Sequence, residues 1–156
     1  MQRLQAKVEL YYVQRCGTTR GSYHMTQRTD GTERTLKQIK LSINLCSDRD
    51  YIALFPHYVR QIFIHELAHY LYYFKDRYAD KFSKICRGGT EQVCQVEDFV
   101  SAYAQTSKEE DYAESFTYWY LKNHVGQSLI VDQEHGSAGP SPRGETKQRY
   151  FDRIYG

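Results

Sequence analysis

Long apolar runs are absent from this sequence. Nothing approaches the roughly 20 residues that cross a bilayer, so no membrane partner is expected. Excess charge of one sign is also absent. With 21 Lys and Arg against 19 Asp and Glu the formal net charge is +2, and the basic residues are dispersed, which argues against nucleic acid as a partner. The four cysteines, Cys16, Cys46, Cys86 and Cys94, lack C-x-x-C spacing, which argues against a structural Cys₄ zinc site. There are no internal repeats and no composition break, so the 156 residues read as one domain, large enough for a hydrophobic core. The opening Met1-Gln2-Arg3-Leu4 lacks the character of a secretory leader, which by itself says little about compartment.

What is present is an ordinary globular composition, 26% charged and 40% apolar, with 15 tyrosines that suit broad, half-wet aromatic surfaces. Cys86 and Cys94 flank the turn-rich Arg87-Gly88-Gly89-Thr90, as in a short-loop disulfide, leaving Cys16 and Cys46 as the second pair. That pairing favours a secreted or exported protein. Four free thiols in a cytoplasmic protein is the competing reading.

Residues 1–46 read as a strand-rich part joined by turns. The stretch 6–13 (AKVELYYV) is rich in Val, Leu and Tyr, and Asp30-Gly31 signals a hairpin. Over 36–45 the sequence partly alternates, Ile39, Leu41, Ile43 and Leu45 against Lys40, Ser42 and Asn44, which predicts a half-buried antiparallel or edge strand. An edge strand with polar residues outward is suited to pairing with an extended peptide, which makes Lys40, Ser42 and Asn44 candidate substrate-binding positions. A plain sheet strand is the alternative.

Residues 47–130 read as helices. Pro56 suits a first turn, and a helix is predicted over 57–74, continuing through 75–87 to Gly88-Gly89. The segment 96–103 also reads as helical. A third long helix begins near Thr106 or Ser107 and runs to about His124, with Ala113, Phe116, Thr117, Tyr120, Leu121 and His124 inward. The remainder, 131–156, is a Gly-, Ser- and Pro-rich loop followed by a last helix over 145–155 that turns Tyr150, Phe151 and Ile154 to the core.

The chemistry lies in Ile62-Phe63-Ile64-His65-Glu66-Leu67-Ala68-His69-Tyr70-Leu71, where H-E-x-x-H interrupts an apolar helix. Residues four apart stand one turn above each other, so His65 and His69 can offer two imidazoles to one ion. Zn²⁺ suits two neutral imidazoles, a catalytic zinc needs a third ligand and an open position, and Glu66 stands where a general base is needed. A core helix with two incidental histidines would bury three polar groups at considerable cost.

The third ligand is less direct. The pattern H-E-x-x-H-x-x-G-x-x-H fails, because Tyr72 and Lys75 replace its Gly and final His. A carboxylate from a later helix, in the pattern E-x-x-x-E, is met by Glu110 and Glu114 on one helical face. In that arrangement the first glutamate ligates and the second, one turn on, hydrogen-bonds the far nitrogen of a ligand histidine. Ser107-x-x-Glu110 and Thr106-x-x-Glu109 are also capping boxes, and acidic residues suit a first helical turn on dipole grounds alone. Spacing therefore puts Glu110 first for the ligand role, in competition with Glu114, and Asp98 and Glu97 behind them.

The segment Phe99-Val100-Ser101-Ala102-Tyr103-Ala104-Gln105-Thr106-Ser107-Lys108-Glu109-Glu110-Asp111-Tyr112-Ala113-Glu114-Ser115-Phe116 resembles the family of the anthrax lethal factor catalytic domain and the Pro-Pro endopeptidases. These are gluzincins with a tyrosine seven residues before the ligand glutamate and an aromatic-rich helix after it. The resemblance covers 57–74 and 96–121. It implies Glu110 as third ligand, Glu114 as the carboxylate behind a histidine, and Tyr103 facing the metal. Asp111 and Tyr112 stand where the family often has two aromatics, so its substrate preferences are not carried over. Tyr103 also has a role on chemical grounds, since a phenol near the ion can donate a hydrogen bond to the developing oxyanion.

Together these features predict an α+β, zincin-like chain: a small N-terminal, mostly antiparallel sheet, then a helical part with the H-E-x-x-H helix and a glutamate-bearing helix. The expected function is a zinc metallopeptidase, an endopeptidase of gluzincin type, acting on an extended peptide or protein. The alternatives are a zinc-binding, non-hydrolytic peptide-binding module and a structural domain without metal.

Overall fold

β-branched and aromatic residues in the N-terminal third favour strands. The computed structural model describes residues 7–13, 22–29, 34–44, 53, 57–82, 84–85, 94–127 and 145–156, the strands and the first two residues of the last helix as backbone. The chain divides into two compact units, Met1–Ile62 and Phe63–Gly156. In the first, β1 (Lys7–Val13), β2 (Ser22–Thr29) and β3 (Arg34–Asn44) form one sheet in the order β1-β3-β2. β2 and β3 are antiparallel, Thr29 opposite Arg34, with an irregularity between Thr26 and Gln27. The Asp30-Gly31 turn lies outside the described residues, as do Cys16, Cys46, Cys86 and the loop 136–144.

Two expectations change here. β1 pairs with β3 in parallel, from Lys7 opposite Gln38 to Val13 opposite Asn44, so the sheet is mixed rather than mostly antiparallel. The strand expected at an edge is the middle one. Over 38–42 its backbone is paired on both sides, so an extended peptide cannot add there, and Lys40 and Ser42 lose the substrate role that strand pairing would give them. Asn44 lies opposite Val13, paired on one side. The physical reason is that a period of two reports which face is apolar, and a middle strand alternates as readily as an outer one.

Helix α1 (Tyr58–Tyr70) carries the H-E-x-x-H residues and passes into a π-helical turn, Leu71–Lys75. The turn closes with the N–H of Asp76 on the carbonyl of Leu71 at 2.8 Å. The helix expected to continue through 75–87 does not. Asp76 takes an extended conformation (φ −90°, ψ 92°), and its carboxylate accepts the N–H of Tyr78, turning the chain into a single short helix, α2 (Ala79–Phe82). Likewise 96–103 is not one helix. It holds a 3₁₀ turn at Val96–Asp98, capped by Asp98 on the N–H of Gln95, and a second 3₁₀ turn, Tyr103–Gln105, begins where it ends.

Helix α3 (Lys108–Val125) starts at Ser107, whose hydroxyl accepts the N–H of Glu110, and ends at Gly126 with φ 74°, a left-handed conformation that favours glycine. Every residue from Asp111 to Trp119 is buried, so the expected inward stripe was too narrow, while Tyr120 is half-buried and His124 exposed. Helix α4 (Glu145–Tyr155) adds Tyr150 and Phe151 to the core. Phe82, Tyr112, Phe116, Trp119 and Phe151 pack with ring centroids 5.1–5.6 Å apart for the pairs Phe82–Phe151, Phe82–Tyr112, Phe116–Phe151 and Phe116–Trp119. Each such pair contributes about 0.5–1.5 kcal/mol beyond its buried area. The described tyrosines divide between core and half-wet surface: Tyr58 and Tyr112 are fully buried, whereas Tyr73, Tyr78 and Tyr103 are exposed.

Three polar ties hold the helices in register. Asp76 accepts from the hydroxyls of Tyr112 (2.8 Å) and Tyr150 (2.7 Å). Lys147, buried beneath the rings of Phe99 and Phe82, pairs with buried Asp111 at 2.7 Å. Trp119 donates from Nε1 to Asp152 at 2.7 Å. No helix among the described residues is long and apolar enough to cross a membrane.

Candidate metal centre

The four-residue spacing on α1 sets His65 and His69 edge to face, with ring centroids 4.8 Å apart and their Nε2 atoms separated by 3.1 Å. The first turn of α3 brings Glu110 to the same point: its Oε2 lies 3.0 Å from His65 Nε2 and 3.4 Å from His69 Nε2. Two ligands bound at about 2.0–2.1 Å to a tetrahedral zinc stand about 3.3–3.4 Å apart, and octahedral angles bring them nearer 3.0 Å. The triangle is therefore the right size for a small divalent cation, and its imidazoles exclude magnesium and calcium, which take oxygen. A second observation concerns Glu110 alone. Oε2 is buried and has no hydrogen-bond partner despite its proximity to the two nitrogens. A buried carboxylate oxygen facing two imidazole nitrogens is satisfied by a cation held between them or by a proton on a ring. His65, His69 and Glu110 thus fit a zinc ion, and theirs is the cluster with metal-ligand spacing among the described residues.

Glu114, one turn further along α3, faces the other side of the His65 ring. Its Oε1 is 2.8 Å from Nδ1, and its Oε2 accepts from the Ser101 hydroxyl at 2.8 Å. A neutral His65 that donates from Nδ1 keeps Nε2 as a lone pair facing the triangle. The two glutamates that spacing left in competition are thereby separated: Glu110 meets both Nε2 atoms, Glu114 meets Nδ1. Glu110 does not spend its side chain on the helix start. Only its backbone N–H takes part in the cap. Asp98 is occupied with its own 3₁₀ turn and Glu97 is exposed, so neither joins the cluster.

Glu66 is buried, and its charge acts on both His65 and Tyr103. The Tyr103 ring lies 6.0 Å from that of His65, partly exposed. Burial pushes its hydroxyl up to about 12, reinforced by the carboxylates of Glu110, Glu114 and Glu66. The His65 imidazole is pushed up to about 10: burial opposes the charged ring, but Glu110 and Glu114, with Glu66 behind them, outweigh it. Burial raises the Glu110 carboxyl in turn, yet His65 and His69 pull it far below the usual carboxylate range. Three carboxylates around two imidazoles make a centre that favours positive charge, whether proton or cation.

Lys40, Ser42 and Asn44 lie on β3, in the other unit. Ser101 was missed by sequence reasoning; a serine two residues before a tyrosine carries no pattern of its own. Cys94 is held in a disulfide whose partner lies outside the described residues. No protein-family model, no curated protein and no solved structure matches the chain.

Proposed function

We propose that this chain is a zinc-dependent peptidase of gluzincin type, acting on extended peptide or protein substrates. The observation that carries the proposal is the triangle of His65 Nε2, His69 Nε2 and Glu110 Oε2, 3.0–3.4 Å on a side, with Oε2 buried. Two histidines and one carboxylate are three protein ligands, the number found where a zinc works rather than merely braces a fold. Zinc held by them supplies Lewis acidity at a substrate carbonyl and makes water a better acid.

The chain's own groups do the rest. Glu66, next to His65 on α1, takes the proton of the attacking water and passes it to the leaving amine. Tyr103 keeps its proton at neutral pH and donates a hydrogen bond to the carbonyl oxygen as that oxygen becomes negative. Glu114 holds the His65 ring by Nδ1. The disulfide at Cys94 supports an exported protein.

The test is a peptide-library digest with and without chelator, on the wild type and Glu66→Gln, together with metal analysis of both. Glu66→Gln should retain one zinc per chain and lose hydrolysis by about 10²–10⁴-fold. Undiminished cleavage by that variant removes Glu66 as the base. Zinc binding by the wild type without cleavage of any peptide favours the binding module, and absence of bound zinc ends both.

A further inference from the structure

Ser101 sits where two parts of the site meet. Its hydroxyl donates to Glu114 Oε2 at 2.8 Å and accepts the N–H of Ala104 at 3.1 Å, both in buried surroundings. The first bond fixes the carboxylate whose other oxygen is 2.8 Å from His65 Nδ1. The second holds the start of the 3₁₀ turn Tyr103–Gln105, which sets where the Tyr103 ring stands, 6.0 Å from that of His65. A single hydroxyl thus uses its donor on one functional group and its acceptor on the other.

We infer that Ser101 is a positioning residue that couples the orientation of the ligand His65 to the placement of Tyr103. This rests on the zinc peptidase proposal for the roles of those two groups, though the coupling itself is a statement about hydrogen bonds. Removing the hydroxyl frees Glu114 to rotate, which loosens His65, and frees the turn, which lets Tyr103 drift. Partners at this remove from a metal commonly change affinity or activity 10–100-fold.

The experiment compares wild type, Ser101→Ala, Ser101→Thr and Ser101→Cys in the full chain. Ser101→Ala should weaken zinc about tenfold in a chelator competition and lower kcat about tenfold at saturating zinc. Ser101→Thr keeps the hydroxyl and should restore both. Ser101→Cys fills the same space with a weak donor and should behave like alanine, which separates hydrogen bonding from packing should the alanine variant fold poorly. In a Tyr103→Phe background the further kcat loss from Ser101→Ala should vanish, because the group it places is already gone. A kcat loss of equal size in that background, or unaltered zinc affinity, overturns the inference.

An independent readout is the imidazole N–H signal of His65 in NMR spectra of the zinc-free chain. It should be slow to exchange in the wild type and exchange at least tenfold faster in Ser101→Ala. Unchanged exchange overturns the coupling even if hydrolysis is never observed. Faster exchange together with a shifted Tyr103 ring signal, without any zinc binding by the wild type, upholds the coupling and removes only the proposed function.

Discussion

Replacing Asp76 by alanine tests how the two helices that carry the candidate metal centre are held. Asp76 follows α1 and its π-helical turn, and its Oδ2 accepts the hydroxyls of Tyr112 on α3 and Tyr150 on α4. Tyr112 lies between Glu110 and Glu114, so this tie fixes the stretch of α3 that faces the histidines. In Asp76→Ala the Tyr150 hydroxyl is stranded in the core, the Tyr112 hydroxyl keeps only Tyr155 at 3.1 Å, and the N–H of Tyr78 turns to water. A stranded buried donor costs about 1–3 kcal/mol, and a bond to a charged acceptor contributes about 1.5–3 kcal/mol, so the expected loss is about 3–5 kcal/mol. In a chain of this size each kcal/mol moves Tm by about 2–4 °C, hence a fall of about 6–20 °C. Trp119, the single tryptophan, packs in this core, so its fluorescence in a urea titration follows the unit concerned. The decisive comparison adds Tyr112→Phe and Tyr150→Phe to Asp76→Ala. With the stranded donors gone, stability should recover part of the way toward wild type. A triple variant no more stable than the single one, or a single variant within 1 kcal/mol of wild type, refutes the account.

Tyr103→Phe should lower kcat by about 10²–10³-fold, the effect of losing one oxyanion donor, while zinc affinity in a chelator competition stays as in wild type. Lys147→Met leaves buried Asp111 without its partner, so its carboxyl, already pushed up to about 6 by burial, must take up a proton to stay inside; the variant should cost about 3–5 kcal/mol by urea denaturation, whereas adding Asp111→Leu should restore most of that loss. Burial holds the hydroxyls of Tyr150 and Tyr155 protonated above the ordinary value, and for Tyr150 the carboxylate of Asp76 adds to the effect. The folded chain therefore keeps protons that the unfolded chain releases near the ordinary tyrosine value of about 10. Stability should be insensitive to these groups below that pH and fall above it, with tyrosinate absorbance rising in step with unfolding.

The sequence carried the candidate triangle of His65, His69 and Glu110 because its parts are local or periodic. His65 and His69 are one helical turn apart, and Glu110 and Glu114 are another such pair, so each pair shares a face wherever its helix lies. What spacing could not decide was which glutamate faces which nitrogen, since that depends on how α3 is rotated against α1. The rotation comes from contacts distant in sequence, Asp76 with Tyr112 and Tyr150, Asp111 with Lys147, and none of these has a pattern to read. The failed helices at 75–87 and 96–103 have the same origin. Tyr78, Phe82 and Ile85 keep helical spacing, yet Asp76 takes the chain out of the helix to reach two tyrosines. For the strands, alternation identified β3 but carried nothing about its neighbours, so its place in the middle of the sheet, and with it the substrate assignment, was not legible.

The π-helical turn at Leu71–Lys75 holds one residue more than an α-helical turn would between Tyr70 and Asp76. An α-helix rotates about 100° per residue, so excising one residue there would swing Asp76 by about that angle about the axis. Its carboxylate would then point away from Tyr112 and Tyr150, while His65 and His69, upstream, stayed where they are. The surplus residue acts as a phase adjuster between one helix's two histidines and the anchor that fastens its far end.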